Sequence, residues 1–148
     1  MTAGTTQQAN VEQAVPLFAV SSMAESLHFY VDGLGFVMSN QWVPEGRLKW
    51  CWLQLGGAAL MLQEYRTEGH DSWTPKGPVG EGVSLNFVCR DALAIYHDVG
   101  GRGIPAARKP FVGNHMWVVQ FTDPDGYQVF FESATDVPEE TEYVETPS

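Results

Sequence analysis

Residues 15–65 and 83–133 run through the same order of elements twice, and this internal repeat restricts the fold more than any other feature of the chain. In the first copy, Val15-Pro16-Leu17-Phe18-Ala19-Val20 is a short apolar strand. Ser22 follows as a helix N-cap, with Glu25 three residues on, the spacing of a capping box. Leu27, Phe29, Tyr30 and Leu34 then form an apolar face at helical spacing, closed by Gly33 and Gly35. Strands are expected over 36–43, 48–55 and 58–65, with Gly56-Gly57 as the hairpin between the last two. The second copy opens with a strand at 83–88. Asp91 caps a helix over 92–99, Gly100-Gly101 stops it, and strands are expected around 104–108, 116–121 and 127–132. Asp123-Pro124-Asp125-Gly126 is the turn between the last two. Each copy therefore reads βαβββ, about 50 residues long.

The segments outside the repeat have a different character. Residues 1–14 are rich in Thr, Gln and Ala and residues 134–148 in Glu, Thr and Pro, so both read as mobile tails, with residues 66–82 as a long loop between the copies. Half of the net charge of −10 comes from Asp136, Glu139, Glu140, Glu142 and Glu145, which leaves the body only mildly acidic. Eight scattered Lys and Arg make no basic stripe, which argues against nucleic acid as a partner, and an acidic surface argues against an anionic membrane. No segment approaches the roughly 18 apolar residues of a membrane span, and the N-terminus has no basic region followed by an apolar stretch, so a cytoplasmic location is expected. Cys51 and Cys89 sit in apolar strands and read as free thiols.

Three motifs together carry a family resemblance: Ser22 to Tyr30 running into Gly33-Leu34-Gly35-Phe36, the Gly56-Gly57 hairpin before Leu60-Met61-Leu62, and Asp123-Pro124-Asp125-Gly126-Tyr127 before the final strand. In order and spacing they resemble the vicinal oxygen chelate superfamily of glyoxalases, bleomycin resistance proteins and extradiol dioxygenases. The resemblance implies an α+β fold: two βαβββ modules form a curved, cup-shaped mixed sheet with flanking helices, and a homodimer completes the walls. Residues 15–133 would be one domain, with modules 15–65 and 83–133. It also implies a divalent metal held from the first and last strands of each module. Those positions fall on Val15, Met61, Ser84 and Phe130, which offer no donor, a soft thioether or a neutral hydroxyl. No metal and no cofactor is therefore expected; the alternative is a relocated site from His115, Glu132 and Gln63.

Period-two alternation assigns the strand faces. It points Val15, Leu17 and Ala19 to the cavity on the first strand, Ser84 and Asn86 on the fifth, and Gln128, Phe130 and Glu132 on the last. Trp50 and Trp52 share a face of the third strand, and Trp42 and Trp117 lie on or near other strands. The expected ligand-binding set is Trp42, Trp50, Trp52, Met61, Gln63, Ser84, Asn86, His115, Trp117, Phe130 and Glu132. An aromatic cup with a few amides and hydroxyls suits a planar or cationic small molecule. His28 and His97 read as solvent-facing, and His70, beside Asp71 and Trp73, as a lid element. The expected function is sequestration of a small molecule without turnover. The alternative is a lyase, isomerase, dioxygenase or thiol transferase using a relocated metal, or His115 and Glu132 as acid and base. A regulatory module acting through the acidic tail is a third reading.

Overall fold

The computed structural model describes residues 9–70 and 72–146. Of the expected tails, residues 1–8 and 147–148 lie outside the described residues, as does Asp71. The elements, in order, are β1 (Leu17–Val20), α1 (Met23–Leu27) running into a π-helical stretch (His28–Gly33), β2 (Val37–Trp42), β3 (Trp50–Leu55), β4 (Ala58–Glu64), β5 (Ser84–Val88), α2 (Ala92–Gly101), β6 (Phe111–Gly113), β7 (Met116–Thr122) and β8 (Gln128–Ala134). They form two four-stranded mixed sheets, ordered β1-β4-β3-β2 and β5-β8-β7-β6, the α+β arrangement of two βαβββ modules. In each sheet the first strand runs parallel to the fourth and the hairpins run antiparallel.

Local chemistry accounts for most of these elements. The Ser22 and Asp91 side chains accept hydrogen bonds from the N–H groups of Glu25 and Ala94 at 3.2 and 3.0 Å, filling the N-cap roles read from the sequence. The first helical stretch stops at its expected glycine, whereas the second runs past the first of its two. Gly33 ends the π-helical stretch and Gly100-Gly101 lies inside α2, and the left-handed residues that follow are Gly35 and Gly103, each with φ 94°. The strand expected around 104–108 is not formed. Pro105 and Pro110 cannot donate to a ladder, Ala107 makes a single bond to the Gln120 carbonyl, and the partner of β7 is instead the three-residue β6.

The two modules share one core, built from the inner faces of both sheets and the helices over them. The turn at residues 123–127 of the second module joins it to the first. Phe18 and Tyr127 stack with ring centroids 4.0 Å apart, the Tyr127 hydroxyl donates to the Ala19 carbonyl at 3.0 Å, and the Tyr30 hydroxyl donates to Asp123 at 2.9 Å. Phe36 and Phe87 meet at 5.7 Å across the same junction. Cys51 is wholly buried, which pushes its thiol up to about 11, and both cysteines are free.

The acidic C-terminal segment is tied to the fold as far as it is described. Val112 exchanges backbone hydrogen bonds with Glu140 and Thr141, Tyr143 donates to the Pro110 carbonyl, and Glu139 accepts from the N–H groups of Asn114 and His115 at 2.8 and 2.7 Å. It thereby covers the outer edge of β6, which would otherwise present unpaired backbone. Among the described residues no helix is long and apolar enough to cross a membrane.

Candidate ligand-binding site

Since the inner faces of the sheets make the shared core, their other faces turn away from it, and strand register decides which side chains these carry. On the first sheet, Trp42, Trp50, Gln63 and Ala19 form one cross-strand row, and Asn40, Trp52, Met61 and Leu17 the next. Five expected residues, Trp42, Trp50, Trp52, Met61 and Gln63, thus share one surface. It is strongly apolar for an uncovered sheet face, with Leu17 46% and Trp42 42% exposed.

On the second sheet, Asn86 pairs with Phe130 and Phe130 with Gln120, while Ser84, Gln128 and Thr122 form the neighbouring row. Here the face is hollow. A concavity of about 630 Å³ is bounded by Ser84, Asn86, Phe130, Glu132, Met116 and Val118, with residues 79–83 as a wall, a volume suited to a drug-sized molecule. Its polar groups are partly pre-arranged. The Gln128 amide oxygen accepts from Gln120 at 2.7 Å and from the Thr122 hydroxyl at 2.9 Å, and Asn86 donates to Ser84 at 2.8 Å. The charged side chains at its boundary are Glu81 and Glu132.

Two expected residues are placed elsewhere. Trp117 pairs with Ser133 and Val112, on the opposite face of the sheet from Phe130, and its ring meets Tyr143 edge-on at 6.0 Å. Met116 and Val118 take the places on the concave face. His115 lies in the β6–β7 turn with φ 64°, its side chain 88% exposed and 4.0 Å from Glu139. It is turned to solvent rather than toward Glu132. In the long loop, Trp73 packs edge-on against Tyr65 at 5.6 Å, and the part that walls the concavity is residues 79–83, not the stretch around His70.

The residues missed by sequence reasoning are Phe111, Met116, Val118, Gln120 and the wall at 79–83. Counting outward from the Asp123 turn was the usable signal, because pairing Thr122 with Gln128 puts Gln120 and Val118 beside Phe130 and Glu132.

The wall depends on Gly80. Its φ is 79°, and a Cβ there would lie 2.9 Å from Tyr127 Cα and 3.1 Å from the Gly126 carbonyl oxygen. Gly80→Ala is expected to cost about 2 kcal/mol, combining left-handed strain with overpacking against backbone. Thermal denaturation measures the loss, and the same variant should bind any occupant of the concavity less tightly.

The donor set does not fit the divalent metal of the vicinal oxygen chelate pattern. Across β1–β4 and β5–β8 the outward pairs at the relevant level are Leu17 with Met61 and Asn86 with Phe130, and none of these is a strong ligand for a hard cation. The relocated trio is divided, with Gln63 on the first sheet and Glu132 on the second. Among the described residues, no group of three or more His, Cys, Asp or Glu is placed to hold a metal ion.

Comparison with known proteins agrees with this architecture. The family model described as Glyoxalase/Bleomycin resistance protein/Dioxygenase superfamily matches residues 12–131. Among solved structures, TnmS3, an antibiotic binding protein from Streptomyces sp. CB03234, aligns with a TM-score of 0.65 at 20% identity, over 86% of this chain and 100% of its own. A glyoxalase/bleomycin resistance protein from the same Streptomyces aligns at 0.62 and 22% identity, over 82% and 100%. A glyoxalase/bleomycin resistance protein/dioxygenase from Nocardioides aligns at 0.66 and 14% identity, over 95% and 96%. No curated protein matches the chain.

Proposed function

The chain belongs to the Glyoxalase/Bleomycin resistance protein/Dioxygenase superfamily, and on that premise we propose that it binds and sequesters a planar or cationic small molecule without transforming it. The observation that carries this reading is the concave face of the second sheet, apolar at Phe130, Met116 and Val118, amide-bearing at Asn86 and Gln128, and acidic at Glu81 and Glu132. Such a surface can hold a ligand by burial, hydrogen bonds and charge, yet it offers no nucleophile paired with a base. The tryptophan face of the first sheet supports a homodimer, in which one protomer's Trp50 and Trp52 would close over the concavity of its partner. Indole faces would then cover a planar or cationic ligand from the second side. The similarity to TnmS3, an antibiotic binding protein, favours a ligand of that kind. We take residues 15–133 as the working domain and the cytoplasm as its location.

Thermal shift and tryptophan quenching with bleomycin and with a planar cation such as ethidium test the reading. A ligand at about a hundredfold excess over its Kd should add about 2.7 kcal/mol of stability. Phe130→Asp and Trp52→Ala should each remove most of the binding, and sedimentation should give a dimer that Trp52→Ala weakens. Recovery of chemically altered ligand, or near-stoichiometric retention of a divalent metal with metal-dependent turnover, would overturn the proposal in favour of an enzyme.

A further inference from the structure

A second cavity, about 780 Å³ in volume, lies at the junction of the modules, between the Gly56-Gly57 hairpin of the first and the β5–α2 segment of the second. It differs in chemistry from the concavity above. Its apolar walls come from Leu34, Leu55, Phe87 and Ile95, and its charged lining is Arg90, Arg102 and Asp98. In a chain of net charge −10, two guanidinium groups against one carboxylate make a local positive site.

The two arginines differ in how they are held. Arg102 follows the last residue of α2, and its Nε donates to the Gly33 carbonyl at 2.8 Å, so the side chain is anchored across the module junction. A Cβ on Gly35 would meet an Arg102 terminal nitrogen at 4.0 Å, which places the free end of the guanidinium along the Gly35 wall. Arg90 is exposed, and among the described residues it makes no hydrogen bond or ion pair; the Asp98 carboxylate is likewise unengaged. The cavity therefore combines a fixed cation, a second unengaged cation and an apolar interior of drug-sized volume.

We propose that this junction cavity is a second binding site, sharing only Asn86 with the concavity of the second sheet, for an amphipathic organic anion: an apolar chain or ring bearing one carboxylate. The apolar body fills the space between Leu55, Phe87 and Ile95, the carboxylate is taken by the anchored Arg102, and Arg90, at the other end of α2, adds a second positive charge to the lining. This goes beyond the sequestration reading and uses neither the tryptophan face nor Phe130.

Decanoate and decylammonium, of equal chain length and opposite charge, are the probes, titrated calorimetrically into the full-length protein. Decanoate should bind one site per chain, at least about tenfold more tightly than decylammonium. Arg90→Glu, at an exposed position where the fold is not at stake, should weaken decanoate about tenfold, whereas Asp98→Asn should tighten it about threefold. Phe130→Asp should leave decanoate binding unchanged while removing the cationic ligand of the other site, so the two readings fail independently. Equal or tighter binding of decylammonium, an absence of decanoate binding, or a loss that follows Phe130→Asp and not Arg90→Glu would each overturn the proposal.

Discussion

Alanine at Asp123 is expected to lower the free energy of unfolding by about 4 kcal/mol, because three buried or part-buried donors lose their acceptor at once and a fourth, the Gly126 N–H, keeps only the Asp123 carbonyl at 3.0 Å. One carboxylate oxygen accepts the N–H groups of Asp125, Gly126 and Tyr127, each at 2.9 Å, and the other accepts the Tyr30 hydroxyl at 2.9 Å. Asp123 is 3% exposed and Tyr30 not at all, so water cannot readily replace the missing oxygen atoms. Burial also holds the Tyr30 phenol protonated, far above its usual range, so it remains a donor at every accessible pH. Asparagine keeps an oxygen for the turn and loses only the acceptor for Tyr30, and should cost about 1 kcal/mol. Urea denaturation at unchanged m-value measures both. A cost for Asp123→Ala below about 1 kcal/mol would mean that the apolar junction alone, chiefly Phe18 on Tyr127, holds the modules together.

The same turn shows what sequence reasoning reaches. Pro124 and Gly126 made residues 123–126 legible as a turn, and the alternation of β8 correctly separated Phe130 and Glu132 from Val129 and Phe131. Both signals are local: a glycine at φ 106° and a period of two. The bond from Asp123 to Tyr30, 93 positions away, has no local signature. The repeat, the two N-caps and the outward faces of β1, β3, β4 and β5 were legible for the same local reasons.

What was not legible depends on pairing between distant segments, or on strands apolar on both sides. Met116-Trp117-Val118-Val119 gives alternation nothing to discriminate, so the sequence does not show that Met116 and Val118, rather than Trp117, face the cavity. β6 is too short to signal itself, and its position follows from β7 on one side and residues 140–143 on the other. The acidic composition of that last segment reads as a free tail, yet Glu139 is drawn to the Asn114–His115 turn by two backbone N–H groups that composition does not reveal. The junction cavity draws Arg90, Asp98 and Arg102 from both flanks of α2 and the hairpin glycines from the other module, a combination that only the folded chain assembles.

Glu64 is the second buried carboxylate, and its replacement by alanine should cost about 3 kcal/mol, at the lower end of the range for breaking a buried ion pair because Arg47 is itself 68% exposed. Glu64 accepts the Met23 N–H at the start of α1 at 2.9 Å, the Arg47 guanidinium at 2.9 and 3.0 Å, and the Lys49 ammonium at 2.9 Å. Its pH behaviour should oppose that of Asp123. Burial works to raise Glu64, but the Met23 N–H, Lys49 and Arg47 together outweigh it, and the carboxyl titrates below its ordinary value. Its contribution is therefore complete above the unfolded-state pKa and is lost as pH falls through the lower folded value. For Asp123 burial prevails over the hydrogen bonds from Tyr127, Tyr30 and Asp125, so its folded pKa lies above the ordinary one. Its ionisation then opposes folding, and the protein loses that share of stability as pH rises through the elevated value. The two effects offset one another in the wild-type acid limb and separate in the amides. Asp123→Asn should leave a steeper net gain in stability from strongly acidic pH to neutrality, and Glu64→Gln a flatter or inverted one. Denaturant midpoints taken across that range decide it: slopes in both variants identical to that of the wild type would show that neither carboxylate differs in pKa between the folded and unfolded chain.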